Sequence, residues 1–233
     1  MKTLLMIPAY NESESIESVI EEIEKKCPDV DYLVINDCSS DETESILKNA
    51  HAHYVSAPVN LGIGGAVQTG YKYALKNGYD IAIQVDGDGQ HDVAYVPKMV
   101  ELIESGEADM VIGSRFVAKE GFQSSTTRRL GIKLLSTLIF ICCGKHIKDV
   151  TSGFRACDRR FIALFASDYP DDYPEPEVLV TSVLHRGKIV ELPVVMRERA
   201  GGKSSINLKK SIYYMVKVSL AIIVTRVSLG VRR

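Results

Sequence analysis

The stretch that most constrains this chain is Ile81-Ala82-Ile83-Gln84-Val85, which runs directly into Asp86-Gly87-Asp88-Gly89-Gln90-His91-Asp92. A short, mostly apolar run suits a strand buried on both faces, as in parallel sheets. Gly87 and Gly89 force a tight turn straight after it. Asp86 and Asp88 therefore leave the carboxyl end of a buried strand together, at the edge where open α/β sheets bind ligands. Two hard oxygen ligands there suit Mg²⁺ or Mn²⁺, which in turn would hold a diphosphate. A solvated acidic turn is the plainer alternative. An EF-hand calcium loop starting at Asp86 is excluded. It needs glycine at its sixth place and glutamate at its twelfth, where this chain has His91 and Pro97.

The flanking sequence repeats the theme. Thr3–Ile7 reads as a strand ending at Pro8. Asn11 is placed to cap a helix, with Glu14 as its box partner, and Ile16, Val19, Ile20 and Ile23 recur at helical spacing. Tyr32–Ile35 is a second buried strand, stopped by Asn36-Asp37, and a short acidic helix follows to about Asn49. His53–Val55 is a third strand. Asn60–Gly65 is a glycine-rich loop opening a helix over Ala66–Asn77. A helix over Tyr95–Glu104 and a strand at Met110–Ile112 complete the first half. This alternation predicts βαβ units and a mostly parallel sheet. Right-handed crossovers then bring residues 8–12, 36–38 and 86–90 to one edge.

After residue 118 the texture changes. Residues 130–143 are apolar except for Lys133 and a few small polar residues. A bilayer span takes about 20 apolar residues, so a buried core helix and an interfacial helix both fit. Asp158–Ala166 reads as a helix. Tyr173–Glu177 reads as a proline-stiffened loop, and Val178–His185 as a helix. Ile189–Met196 reads as a strand, with Pro193 favouring an edge. Gly201–Ser205 is a flexible loop before a closing helix over Asn207–Leu229.

Charge divides unevenly along the chain. Residues 1–118 carry 8 basic and 20 acidic side chains, residues 119–148 carry 6 and 1, and residues 197–233 carry 9 and 1. Late basic segments on an acidic protein point to an anionic surface. No basic-aromatic nucleic-acid module is present, so a membrane is the better partner than nucleic acid. The closing helix has Lys217 and Arg226 within it, which suits the headgroup plane better than a span. An oligomer interface would use the same apolar surface. The expected division is a catalytic domain over 1–206 and an amphipathic, membrane-associating helix over 207–233. Five cysteines in no CxxC pair point to reduced thiols in the cytosol. Residues 3–7 are too short an apolar run for a secretory signal.

Four motifs in order, Pro8-Ala9-Tyr10-Asn11-Glu12, Asn36-Asp37-Cys38-Ser39-Ser40-Asp41, Asn60-Leu61-Gly62-Ile63-Gly64 and Asp86-Gly87-Asp88-Gly89-Gln90-His91, resemble those of the family 2 glycosyltransferases. Asp149–Ala156 and Arg199–Ser204 are most similar to the dolichol- and polyprenyl-phosphate sugar transferases within it. The resemblance covers roughly residues 3–206. It implies a GT-A fold, that is, a Rossmann-like, mostly parallel sheet flanked by helices, and an inverting, metal-dependent transfer of a hexose from a UDP- or GDP-linked sugar. The implied acceptor is a polyprenyl phosphate at the inner face of the cell membrane. A lipid-linked saccharide hydroxyl, in the synthesis of a surface polysaccharide, is the alternative.

By the same resemblance, Pro8, Tyr10, Glu12 and Asp37 line the nucleoside pocket. Asp86 lies near ribose and metal, Asp88 is a direct ligand, and Gln90 helps hold the ion. Arg115, Arg155 and Arg199 are assigned to phosphates, which suits the planar guanidinium fork. Gly62, Gly64 and Gly65 are spaced wrongly for a dinucleotide fingerprint. Gly64 offers either a close backbone approach to the donor or a plain tight loop. Ser204 departs from the pattern, since relatives often have lysine after the serine, whereas here Lys203 precedes it. A hydroxyl acceptor requires a base; Glu177 is the first candidate and Glu175 the second. Many relatives carry C-terminal spanning helices, so this chain is expected to dock peripherally, through a small membrane partner or as a homo-oligomer. A sugar-nucleotide pyrophosphorylase would need a glycine-rich loop after the first strand, and Pro8–Glu12 has none. A non-catalytic, nucleotide-binding membrane scaffold is the remaining alternative class.

Overall fold

The computed structural model describes residues 1–118, 126–197 and 208–231. The elements run β1 (Thr3–Ala9), α1 (Ile16–Lys26), β2 (Asp31–Asn36), α2 (Thr43–Asn49), β3 (Tyr54–Ser56), α3 (Gly62–Lys76), β4 (Ile81–Gln84), α4 (Val96–Glu104), β5 (Met110–Ser114), α5 (Arg115–Ala118), α6 (Thr126–Cys143), β6 (Arg155–Asp158), α7 (Arg159–Ser167), α8 (Pro174–Leu184), β7 (Ile189–Pro193) and α9 (Leu208–Val231). The strands form one sheet in the order β3-β2-β1-β4-β6-β5-β7. All neighbours are parallel except β6, which runs against both β4 and β5.

The apolar strands are continuous runs because the sheet is covered on both faces. On one face Leu4, Met6, Leu33 and Ile35 pack with α3, α6, α7, α8 and α9. On the other, Leu5, Ile7, Val34 and Ile83 pack with α1 and α4. The register places the carboxyl ends of β1, β2 and β4 at one rim, as right-handed crossovers require. β6, being reversed, starts at that rim with Arg155 opposite Gln84. β7 is an edge strand that ends on Pro193, where no further ladder bond is needed.

Three local expectations are corrected. Asn11 does not cap α1: its φ is +56° and its Oδ1 accepts from Ser40 N at 2.8 Å, while the helix begins after Ser15. The glycine-rich stretch is the first turn of α3 and not a loop before it. Tyr173–Glu177 is not a loop either, because α8 starts at Pro174. Pro174 and Pro176 fall in its first turn, where backbone N–H groups lack intrahelical partners and proline is well tolerated. α9 packs on α6 and α8, burying Val218 and Ile222. Among the described residues no helix is long and apolar enough to cross a membrane.

Candidate active site

The turn after β4 is built from its own side chains. Asp86 Oδ1 accepts from Gln84 Nε2 at 2.9 Å, and Asp86 N donates to His91 Nδ1 at 3.0 Å. An accepting Nδ1 puts the proton of a neutral His91 on Nε2, which lies 3.6 Å from Asp86 Oδ2. The His91 ring is buried and stacked on Phe154 at 4.9 Å. Asp88 Oδ1 accepts from Gln90 N at 3.1 Å, closing the turn around Gly89, whose φ is +75°. Gln90 Nε2 donates to the Arg197 carbonyl at 3.2 Å, which leaves its Oε1 as the free end. The turn thus offers two carboxylates and one amide oxygen, a hard donor set that fits Mg²⁺ or Mn²⁺ and leaves places for phosphate oxygens. Gly153 makes room for it, since a Cβ there would sit 3.0 Å from Asp86 Oδ2.

Asp86 and Asp88 share a cavity of about 370 Å³ with Pro8, Ala9, Tyr10, Glu12, Asp37, Asn60, Gly62, Ile63 and Ala66. The rim convergence expected from the strand pattern is therefore present. Tyr10 is half-exposed at the mouth, while Asp37 is buried, with Oδ1 accepting from Leu61 N at 2.6 Å. The β1 loop is held by the β2 loop. Asn11 N donates to Ser39 Oγ at 3.0 Å, Glu12 N to Thr43 Oγ1 at 2.9 Å and Ser13 N to Asp41 Oδ2 at 3.1 Å. Burial alone would raise the Asp41 carboxyl, but hydrogen bonds from Thr43 and Ser13 outweigh it and hold it down at about 2.

Several assigned residues lie elsewhere or do other work. Arg115 is buried, with Nε and Nη2 each 2.7 Å from the Asp149 carboxylate and Nη2 2.9 Å from Thr151 Oγ1. Arg155 is also buried, and donates to the carbonyls of Ser152, Glu175 and Val150 at 2.7, 2.6 and 3.2 Å. Neither lines the cavity. Each guanidinium fork closes on groups that order residues 149–155. Gly64 packs closely against another segment: a Cβ there would lie 2.0 Å from Pro170 O and 2.3 Å from Asp171 O, so its lack of one admits a neighbouring backbone. Glu177 does not line the cavity; its Oε1 accepts from Thr225 Oγ1 of α9 at 2.8 Å. Arg199 and Ser204 lie outside the described residues.

The sequence alone assigns no role to His91, Ser39 or Asp41 beyond their places in the motifs, and none to Thr43 or Arg197. Arg197 N donates to Gln90 O at 3.0 Å, and its guanidinium pairs with Glu22 at 2.6 Å and Asp92 at 2.9 Å. Asp41 and Thr43 do carry a signal, because Asp41-x-Thr43 is a side-chain turn pattern. Arg197 carries none, since its partners are more than a hundred residues distant in the chain.

A family model described as glycosyl transferase family 2 matches residues 5–165. The chain is 30% identical over 216 residues to an undecaprenyl-phosphate mannosyltransferase of Micrococcus luteus, covering 89% of this chain and 88% of that one. It is 28% identical over 216 residues to a polyprenol monophosphomannose synthase of Mycolicibacterium smegmatis, covering 88% and 81%. In fold it is similar to glucosyl-3-phosphoglycerate synthase of Mycobacterium tuberculosis, solved with Mn²⁺, UDP and phosphoglyceric acid. That likeness has a TM-score of 0.69 at 22% identity, over 97% of this chain and 78% of that one. With the four motifs converging on one rim of such a sheet, the chain belongs to glycosyltransferase family 2 and is a glycosyltransferase.

Proposed function

We propose that this enzyme moves a hexose, with inversion, from a UDP- or GDP-linked sugar to a polyprenyl phosphate at the inner face of a cell membrane, to which it binds peripherally. The observation that carries this is the single cavity in which Asp86 and Asp88 sit beside Pro8, Tyr10, Glu12 and Asp37. Nucleoside and diphosphate ends of one donor can occupy it together. Asp37 and Glu12 are acceptors for ring N–H or ribose hydroxyls, and Tyr10 offers an aromatic face at the mouth. Asp86, Asp88 and Gln90 would hold Mg²⁺ or Mn²⁺. Such an ion supplies Lewis-acid stabilisation of a departing diphosphate. Gln84 donates to the Asp86 carboxylate and His91 accepts from the Asp86 backbone N–H, which together hold the residue for that task.

The acceptor assignment draws on where the two base candidates lie among the described residues: neither lines the cavity. An acceptor phosphate is already anionic, whereas a sugar hydroxyl must lose its proton. Glu177, the first candidate for that step, is bonded to Thr225 on α9. Arg155 Nη1 donates to the backbone carbonyl of the second, Glu175, at 2.6 Å. The names of the two relatives above, an undecaprenyl-phosphate mannosyltransferase and a polyprenol monophosphomannose synthase, agree with this acceptor. The test is incubation of the protein and Mn²⁺ or Mg²⁺ with a panel of nucleotide sugars and undecaprenyl phosphate, followed by product masses. A hexosyl polyprenyl phosphate is expected, and Asp88→Ala abolishes it. Transfer only to a lipid-linked saccharide would overturn the acceptor, and full activity of Asp88→Ala would overturn the metal.

A further inference from the structure

α6 and α9 lie side by side and run in the same direction. A Cβ on Gly131 would meet Met215 Sδ at 3.2 Å, and Arg226 Nε donates to the Cys142 carbonyl at 2.6 Å. The same interval separates the two contact points on each helix, so the axes stay aligned for about three turns. Residues advance about 100° apiece around a helix. On α6, exposed Leu130, Leu134 and Ile141 therefore fall in one arc, about a quarter-turn from the line of Gly131 and Cys142. On α9, exposed Val216, Leu220, Ile223 and Val227 fall in a second arc, about a quarter-turn from Met215 and Arg226. The two rotations have opposite hand. In a parallel pair that opens both arcs on the same outward side, giving one continuous apolar face.

The charge carried by the two helices has one sign, with Lys217 of α9 paired to Asp172 of a neighbouring loop. Residues 126–148 and 208–231 contain no aspartate or glutamate and nine lysines and arginines. Arg129, Lys133, Lys145 and Lys148 are exposed. An exposed apolar patch on this scale marks contact with another surface. A second copy seated through the same face would bring two such cationic sets together in a water-poor interface, which like-charge repulsion opposes. An anionic bilayer satisfies both features, taking the apolar arcs below the headgroups and the cations at their level.

We propose that α6 and α9 together form a two-helix docking face for an anionic membrane, with Leu134 and Ile141 of α6 inserted alongside Leu220 and Val227 of α9. This deepens the function proposed above, because the bilayer it engages is the one that would deliver a polyprenyl phosphate. The apolar run of residues 130–143 is thereby divided by function: one side is core, through Ile132, Leu135 and Ile139, and the other is membrane contact.

The full chain is sedimented with vesicles of phosphatidylcholine, with and without phosphatidylglycerol. Leu134→Glu and Leu220→Glu are compared with wild type, and unchanged melting temperatures confirm that both fold. Wild type should bind the anionic vesicles about tenfold or more tightly than the neutral ones, less so at high salt. Each variant should lose about tenfold or more of that binding. Both should retain wild-type transfer to a short, water-soluble isoprenyl phosphate without vesicles. Undiminished vesicle binding in either variant overturns the two-helix face. So does a wild-type dimer, seen by light scattering, that the variants dissolve while wild type shows no vesicle affinity. Wild type that binds vesicles but never glycosylates the soluble phosphate leaves the docking face standing and sinks the proposed acceptor.

Discussion

Replacing Gly64 by alanine separates the two roles a glycine can have at this rim. The added Cβ would sit 2.0 Å from Pro170 O and 2.3 Å from Asp171 O, both backbone atoms that cannot rotate aside. To reach ordinary contact, the Pro170 carbonyl must withdraw from 2.0 to at least 3.4 Å. That movement also stretches the Gly64 N–H bond to Asp171 O, now 3.0 Å. Overpacking of this kind costs about 1–3 kcal/mol, and the lost hydrogen bond costs about 1 kcal/mol more. The sum, about 2–4 kcal/mol, lowers Tm by roughly 5–15 °C in a chain of this length. Gly62 is the control. It has φ +74° but its nearest neighbour is 3.9 Å away, so Gly62→Ala carries only left-handed backbone strain, about 1–2 kcal/mol. Scanning calorimetry orders the two variants, and nucleotide titration reports donor affinity. If Gly64→Ala melts with wild type while losing nucleotide affinity, the backbone at 64 meets the donor and the packing account is wrong.

Other outcomes follow from the same contacts. Asp149→Ala removes the carboxylate that pairs with the buried Arg115 guanidinium, at a cost of about 3–5 kcal/mol, which thermal melting will read as a large fall in Tm. Glu177→Gln keeps an oxygen for the Thr225 hydroxyl, so kcat for transfer to polyprenyl phosphate should stay within about twofold. A loss of about a hundredfold or more would restore Glu177 as a base. The Asp41 carboxyl is held below its unfolded value, so its contribution to stability is complete above about pH 4 and disappears as pH falls through about 2. Protection of the Ser13 and Thr43 amides should weaken below about pH 4 and be lost as pH falls through about 2, whereas Asp41→Asn should remove that dependence.

The fold was legible because its strands are buried on both faces and its helices on one, so both periods stand out in the residues. Ile81–Val85 with its acidic turn, Pro8–Glu12 and Asn36-Asp37 were placed on one rim from pattern alone, and one cavity does join them. What escaped depends on long-range partners. Whether Arg115 faces solvent, phosphate or Asp149 is decided by a loop 34 residues on, and nothing local to Arg115 records it. The same holds for Gly64, whose neighbour is a backbone more than a hundred residues away. The Pro-Glu-Pro-Glu segment misled for a different reason. Proline breaks a helix interior but fits a first turn, and the two settings look alike until the helix start is known.

One reversed strand gives the rim an unusual supply line. Most segments reaching it have just left the sheet, so their path is set by the strand behind them. Residues 149–153 arrive before β6 begins, and the ladder from Gln84–Arg155 to Ile81–Asp158 is zipped only afterwards. A change within that buried incoming segment therefore bears at once on the wall beside Asp86 and on the Arg115–Asp149 pair, before any ladder bond of β6 is touched.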